Sequence, residues 1–301
     1  MLAIMYHYVR NNCSNYPHFK SLTVDQFRKQ VEFFEERYGF ISRQQFIDSI
    51  EDNKPVDRGV VLTFDDGFKD HYLNVLPILQ EKKLWALFYV PTGHYKDKKI
   101  LNVHRIHHLL GMYDAQQLLD HGLKLVDSSM LNREKIQEFD REIYRDQLLS
   151  SHQFRFKRLF NYYLRDAYKT DILDEMMARY LNEEELYSTL YLSEHELVEI
   201  EKEGSVVGSH TETHPVLSTL SYAQQKREIE GSMAFLNSFL EMKIKSFCYP
   251  YGGAATFNKS TIQVLKELNV HHSFMVGNRE IKSIVDRHML TRLDCNRFHQ
   301  K

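Results

Sequence analysis

Three short clusters in this chain gather the residue types that perform hydrolytic chemistry: Asp65-Asp66-Gly67, His210-x-x-x-His214 and Pro250-Tyr251-Gly252. Histidines four apart on a helical turn put both imidazoles on one side, within reach of a single ion. One carboxylate beside two imidazoles forms a facial set that leaves coordination positions open for water or substrate. Side chains of adjacent aspartates diverge, so Asp65 and Asp66 are expected to divide the work. One would be a metal ligand, the other a base taking a proton from water that the ion has acidified. In isolation an Asp-Asp-Gly is an ordinary turn, and a His pair is often solvated or satisfied by packing. What favours catalysis is that each cluster directly follows an apolar run.

Those runs are the elements that must position the clusters. Residues 59–64 form a short apolar run ending at Asp65, as a buried parallel strand would. Residues 205–208 lead into His210, and residues 244–249 lead into Pro250. Further strands are expected at 2–8, 84–90, 271–276 and 290–294. Helices fall between them. Thr23 with Gln26, Ser42 with Gln45, and Ser193 with Glu196 each have the spacing of a capping box. Phe27, Val31, Phe34 and Tyr38 recur at helical spacing before Gly39. Residues 73–79, with Pro77 as a kink or boundary, 224–240 and 261–268 also read as helical. Alternating strands and helices imply a parallel sheet. In a β/α barrel the carboxyl ends of the strands share one face, where catalysis is built. The expected fold is therefore α/β, a distorted (β/α) barrel of about seven strands.

Between residues 95 and 191 the alternation stops. Ile136, Phe139, Ile143 and Tyr144 form one helical stripe. Phe156, Leu159, Phe160, Tyr163 and Leu164 form a second, and Ile172, Met176, Met177 and Tyr180 a third. Residues 1–94 and 192–301 are thus assigned to the barrel and 95–191 to a mainly helical insertion. Within it, His104, His107 and His108 read as partly exposed helix histidines rather than a second metal site. Glu183–Glu185 reads as a solvated run. The aromatic and basic stretch 154–168 reads as packed aromatics with a solvated basic face, a peripheral contact with a lipid-linked substrate being the alternative.

Composition limits the function. The chain has 301 residues, 43% hydrophobic, enough for a full core. Lys plus Arg is 39 against 41 for Asp plus Glu, a balance unlike that of a nucleic-acid binder. Cys13, Cys248 and Cys295 are odd in number and widely spaced, so no disulfide framework is expected. The N-terminal residues have no secretory pattern, and no apolar run approaches the ~18 residues of a membrane span. The expectation is a cytoplasmic protein with no transmembrane segment; a homo-oligomer is compatible.

Thr63-Phe64-Asp65-Asp66-Gly67, His210-Thr211-Glu212-Thr213-His214-Pro215 and Tyr249-Pro250-Tyr251-Gly252 resemble, in order, the motifs of the polysaccharide deacetylase family, also called carbohydrate esterase family 4 or the NodB homology family. The resemblance covers everything outside the insertion. It implies a barrel with fewer than eight full β/α units and an N-acetylated carbohydrate substrate, such as a surface-glycan precursor. It implies Asp65 as general base. Asp66, His210 and His214 would hold one divalent ion, Zn²⁺ first, with Co²⁺, Ni²⁺ or Mn²⁺ as alternatives. The ion would polarise the acetamide carbonyl and supply the attacking water. The backbone N–H near Tyr251, between Pro250 and Gly252, would hold the oxyanion. The family's general acid is usually a histidine in a late Leu-His-like motif, which the C-terminal end lacks. Met5-Tyr6-His7-Tyr8 in the first strand resembles that motif in circularly permuted members, which makes His7 the acid. The family often has arginine where this chain has Cys248. Cys248 reads as a small buried residue, and Arg292 or Arg287, with Asp294 as carboxylate partner, would have to reach the site instead. Other readings are a deformylase or deacylase for another amide, and a catalytically retired domain for sugar binding or assembly.

Overall fold

The computed structural model describes residues 1–11, 16–51, 58–134, 136, 139, 150–282 and 284–298. Cys13, Ile143 and Tyr144 therefore lie outside the described residues. Among these residues seven parallel strands close into a barrel in sequence order: β1 (Leu2–Tyr6), β2 (Val60–Asp65), β3 (Ala86–Val90), β4 (Val206–Ser209), β5 (Ser246–Cys248), β6 (His272–Val276) and β7 (Leu290–Asp294). β7 returns to pair with β1, so the N-terminal strand closes the ring. Strands β1 through β5 are buried along their whole length. Both faces of a parallel sheet are covered, which is why these strands read as apolar runs rather than as alternation.

Helices enclose the ring, and their starts follow the sequence signals. Thr23 Oγ1 accepts the Gln26 N–H at 3.2 Å, and Gln26 Oε1 accepts the Thr23 N–H at 2.9 Å. The helix they open, Val24–Arg37, buries Phe27, Val31 and Phe34. Ser42 with Gln45 and Ser193 with Glu196 exchange the same reciprocal bonds. The helix expected from residue 224 spans Tyr222–Asn237, because Gln224 is the third residue of a capping box opened by Ser221. Residues 73–79 divide into a wide helical turn at His71–Val75 and a helix at Leu76–Lys82. Pro77 sits in the first turn of that helix, where no N–H is required.

The chain forms two compact units. The barrel unit comprises Met1–Asn11, Ser21–Gly93 and Leu190–Lys301, and the other Asn12–Lys20 and His94–Thr189. Residues 16–20 thus belong with the helical unit, contrary to the assignment of 1–94 to the barrel. Part of the reason is visible in the packing. The His18 N–H donates to the Gly111 carbonyl at 2.9 Å, and Phe19 packs against His108 and over Gly111.

The helical unit has its own core, with Ile106, Leu118, Phe156, Phe160, Leu173 and Met176 among its members. Two expectations fail there. His104 and His108 are buried rather than partly exposed. His108 packs against both Phe19 and Tyr16, with ring centroids at 5.2 and 5.6 Å. Glu183 is not merely solvated, since its carboxylate takes two bonds from Arg105, at 2.8 and 2.9 Å. Arg105 is itself buried, and a buried guanidinium needs paired carboxylates. In the 154–168 stretch Phe156, Leu159, Phe160 and Tyr162 are buried, and Arg158 stacks on Phe154 at 4.1 Å. Among the described residues no helix is long and apolar enough to cross a membrane.

Candidate active site

The strand register sets the site. Tyr6 pairs with Phe64, so His7 leaves β1 level with Asp65 at the end of β2. Thr63 and Asp65, two apart on one strand, face the same side, and Arg292 of β7 reaches both. After Asp65 the chain takes left-handed backbone at Asp66 (φ 76°) and Gly67 (φ 61°), a conformation that Asp tolerates and Gly prefers. This turn separates the two carboxylates: Asp65 meets Arg292, whereas Asp66 meets His210 and His214.

The two histidines do not stand on a helical turn, contrary to the sequence reading. Thr211 (φ 69°) and His214 (φ 58°) are both left-handed, and the segment is a tight loop after β4. The His214 N–H is accepted by Thr211 Oγ1 at 3.0 Å. The loop still brings both rings together, with centroids 4.7 Å apart. Nδ1 of His210 lies 2.7 Å from the Cys248 carbonyl. A carbonyl only accepts, so Nδ1 carries the proton and Nε2 is left with a lone pair. That Nε2 is 3.8 Å from Asp66 Oδ1, and Nε2 of His214 is 3.6 Å from the same oxygen. These separations are too long for hydrogen bonds. They approach the ~3.4 Å between donors that share one ion at about 2.1 Å in a tetrahedral set. Burial holds His210 below the ordinary imidazole pKa, although Asp65 and Asp66 oppose it. A neutral imidazole is the form that ligates a metal. The buried set Asp66, His210 and His214 therefore fits a divalent cation.

Asp65, His210 and Cys248 form a second grouping of suitable atoms. It fits a cation poorly. Burial pushes the Cys248 thiol well up, and Nη2 of Arg292 stands 2.8 Å from its sulfur.

Arg292 and Asp65 are a buried bidentate pair, Nη1 to Oδ1 at 2.6 Å and Nη2 to Oδ2 at 2.7 Å. Nη1 also donates to Thr63 Oγ1 at 3.0 Å. Burial pushes the Asp65 carboxyl up, but the guanidinium, its hydrogen bonds and the neighbouring His210 and His7 outweigh it, leaving the net pKa below the usual carboxylate value. Asp65 is thus held ionised. Arg287 is exposed, and Asp294 is not the carboxylate partner of Arg292. Asp294 instead accepts the Asn296 N–H at 2.8 Å and caps the turn Cys295–Phe298.

Nε2 of His7 lies 3.9 Å from Asp65 Oδ2, and its side chain is 39% exposed, so the ring is open to an incoming molecule. Its backbone is fixed from below by a residue the sequence reading missed. Nε2 of His71, fully buried, bonds the His7 carbonyl at 2.9 Å. Asn74 donates to the Val9 carbonyl and Arg10 to Asp70, at 2.8 and 2.7 Å, so the segment after β1 is strapped to residues 70–74. On the opposite side Tyr251 (φ 61°) sets its ring edge-on to His214 at 4.8 Å. Pro250 is buried and its carbonyl accepts from Thr256 Oγ1 at 3.1 Å. Gly252 (φ 66°) is obligatory, because a Cβ there would stand 2.8 Å from the Val276 nitrogen.

Fold and site together define a parallel β/α barrel hydrolase-type centre, with a carboxylate-imidazole cation site beside an arginine-held aspartate at the carboxyl ends of the strands. The sequence profile of the polysaccharide deacetylase family matches residues 52–155 and 169–273. The chain belongs to that family. It is 33% identical over 98 residues to the poly-beta-1,6-N-acetyl-D-glucosamine N-deacetylase of Escherichia coli K12, a match covering 32% of this chain and 14% of that protein. Among solved structures, the Streptococcus pyogenes deacetylase PplD in complex with acetate superposes with a TM-score of 0.59 at 18% identity, over 98% of this chain and 91% of that one. IcaB from Ammonifex degensii superposes with a TM-score of 0.57 at 16% identity, over 97% and 90%. These two likenesses establish the shared fold.

Proposed function

We propose that this protein hydrolyses the N-acetyl group of an N-acetylated sugar within a polysaccharide or surface-glycan precursor, using water and yielding a free amine and acetate. The observation that carries the reading is the Asp66, His210 and His214 donor set standing beside an Asp65 that Arg292 keeps ionised. A divalent cation on those three residues, Zn²⁺ by the nature of its ligands, would supply Lewis acidity toward the amide carbonyl and the attacking water. Asp65 accepts the proton of that water. Arg292 occupies one lone pair on each oxygen and leaves others available. The backbone N–H at Tyr251 receives the developing oxyanion. His7, on the open side of Asp65, gives its proton to the departing nitrogen, without which the C–N bond does not break. Absence of the family's arginine at Cys248 is the reason to read a retired domain; Arg292 supplies a guanidinium to the same aspartate and removes that reason.

Acetate and formate release from acetylated and formylated hexosamine oligomers, measured with and without added Zn²⁺, tests the reading. Acetate is expected to dominate. Asp65→Asn is expected to retain the metal and lose acetate release by ~10²–10⁴-fold. Full activity in the Asp65→Asn variant, or formate as the preferred product, would sink it.

A further inference from the structure

We infer that Glu228, on the helix Tyr222–Asn237, is the positioning residue that holds the His210–His214 loop in its metal-binding shape. The inference rests on the reading of Asp66, His210 and His214 as cation ligands.

The loop has an unusual conformational demand. Thr211 and His214 both carry left-handed backbone, at φ 69° and 58°, without being glycine. Such residues persist only where their surroundings over-determine them. Most of the loop's backbone groups have identifiable partners. The His210 N–H donates to the Val90 carbonyl at 3.1 Å. The Thr211 N–H donates to Ser209 Oγ at 3.3 Å, and the His214 N–H to Thr211 Oγ1 at 3.0 Å. The Thr211 and Glu212 carbonyls accept from the Thr92 and Gly93 N–H groups, at 3.1 and 2.8 Å. Two donors remain, in the middle of the loop, and both go to one side-chain oxygen. Oε2 of Glu228 accepts the N–H of Glu212 at 3.0 Å and that of Thr213 at 2.8 Å. Its Oε1 accepts the Thr213 hydroxyl at 2.7 Å.

One carboxylate therefore binds the two residues lying between the left-handed Thr211 and His214. The same helix also meets the end of β4 and the loop once more. Ser209 Oγ donates to Ser232 Oγ at 2.9 Å, and the Glu212 carboxylate lies over Gly231, where a Cβ would be 2.4 Å from its Oε1. No other element supplies a side-chain acceptor to these two mid-loop N–H groups among the described residues. Among the described residues the hydrogen bonds of Glu228 go to Glu212 and Thr213 and not to either histidine. It acts by fixing the backbone from which His214 projects, and through it the spacing of the His214 and His210 rings.

A pair of conservative variants separates reach from charge. Glu228→Gln keeps the length: its carbonyl can accept both N–H groups, and its amide can donate to the Thr213 oxygen. Glu228→Asp keeps the charge but withdraws the oxygens by one methylene. The measurement is Co²⁺ binding to the full chain, followed by the visible absorption of the bound ion, beside thermal unfolding of the metal-free proteins. Loss of a supporting shell typically costs 10–100-fold in metal affinity. The Asp variant is expected to bind Co²⁺ 10–100-fold more weakly with an altered spectrum, and the Gln variant within about threefold of the parent. Equal binding by parent and Asp variant would overturn the inference, as would loss in Gln with retention in Asp. Failure of the parent chain itself to bind Co²⁺ would count against the metal reading instead, so the two failures are distinguishable.

Discussion

At the scale of single residues, the site divides into groups that announce themselves and groups that do not. Asp65, Asp66, His210 and His214 stand at the ends of apolar runs, so their types and positions are legible in the sequence. Arg292 is not distinguished from Arg287 by anything local. In β7, Leu290, Arg292 and Leu293 are buried and Thr291 and Asp294 half-buried, so no period-two alternation marks which side chain points inward. His71 carries no signal at all, because its role is to hold a backbone carbonyl of a residue 64 positions away. The consequence for Arg292 can be tested. Lysine there offers a point charge in place of a fork and cannot hold both oxygens of Asp65. Arg292→Lys is expected to lower acetate release by ~10–100-fold, the scale of a lost supporting contact, while the metal content stays at the parent value. Arg292→Ala leaves a buried carboxylate without its partner and is expected to cost about 3–5 kcal/mol in denaturant unfolding. Unchanged turnover in the Lys variant would remove Arg292 from the machinery. His7 has its own test. Aryl acetates lose a phenolate that needs no proton, whereas acetamides lose an amine that does. His7→Ala is expected to lose ~10²–10⁴-fold on acetamides and far less on aryl acetates. Equal losses on both substrates would rule out the acid role.

At the scale of elements, strands and capped helices followed the sequence closely because their signals are local: apolar runs, and Ser or Thr three residues before Gln or Glu. The loop conformations did not. A four-residue spacing cannot tell a helical turn from a loop with two left-handed residues, and the His210–His214 segment is the latter. What permits the close approach of β4 to its neighbours is a glycine with ordinary backbone. A Cβ at Gly208 would stand 2.8 Å from the Ser246 carbonyl oxygen and 2.8 Å from Tyr89 Cε1. A strand carbonyl cannot move aside without disturbing the barrel. Gly208→Ala is expected to cost about 1–3 kcal/mol, as other overpacked cores do. Gly253 is the control, since a Cβ there meets nothing closer than 3.6 Å, and Gly253→Ala is expected to leave the unfolding midpoint unmoved. Equal midpoints for the two variants would contradict this account of the β4–β5 contact.

At the scale of the whole chain, the sequence showed where alternation stopped, and so revealed a helical unit. It could not show that residues 16–20 belong there, because that depends on Phe19 meeting His108 across about ninety positions. Nor did it show how the barrel core disposes of its buried histidines. Tyr89, Ser246 and His272 form a hydrogen-bonded chain, with 2.7 Å from Tyr89 Oη to Ser246 Oγ and 2.8 Å from there to His272 Nε2. His288 joins Ser273 nearby at 3.1 Å. Burial, with smaller repulsion from His271, His288 and Arg287, holds His272 down at about 3. Burial also holds His288 at about 4, against Asp286. In the unfolded chain both would titrate near 6.5. The folded values lie below the unfolded one, so the unfolded chain binds more protons as pH falls. Their contribution is complete above about pH 6.5 and is lost progressively as pH falls toward about 4 for His288 and about 3 for His272. Each would contribute a slope of about 1.4 kcal/mol per pH unit inside its window. Urea unfolding at pH 7.5, 6 and 5 should therefore show steep acid destabilisation. His272→Gln retains an acceptor for Ser246 but does not titrate, so its stability should fall less steeply by about 1.4 kcal/mol per pH unit. Parallel pH profiles for parent and variant would mean that His272 is not the group that acid must charge before the barrel opens.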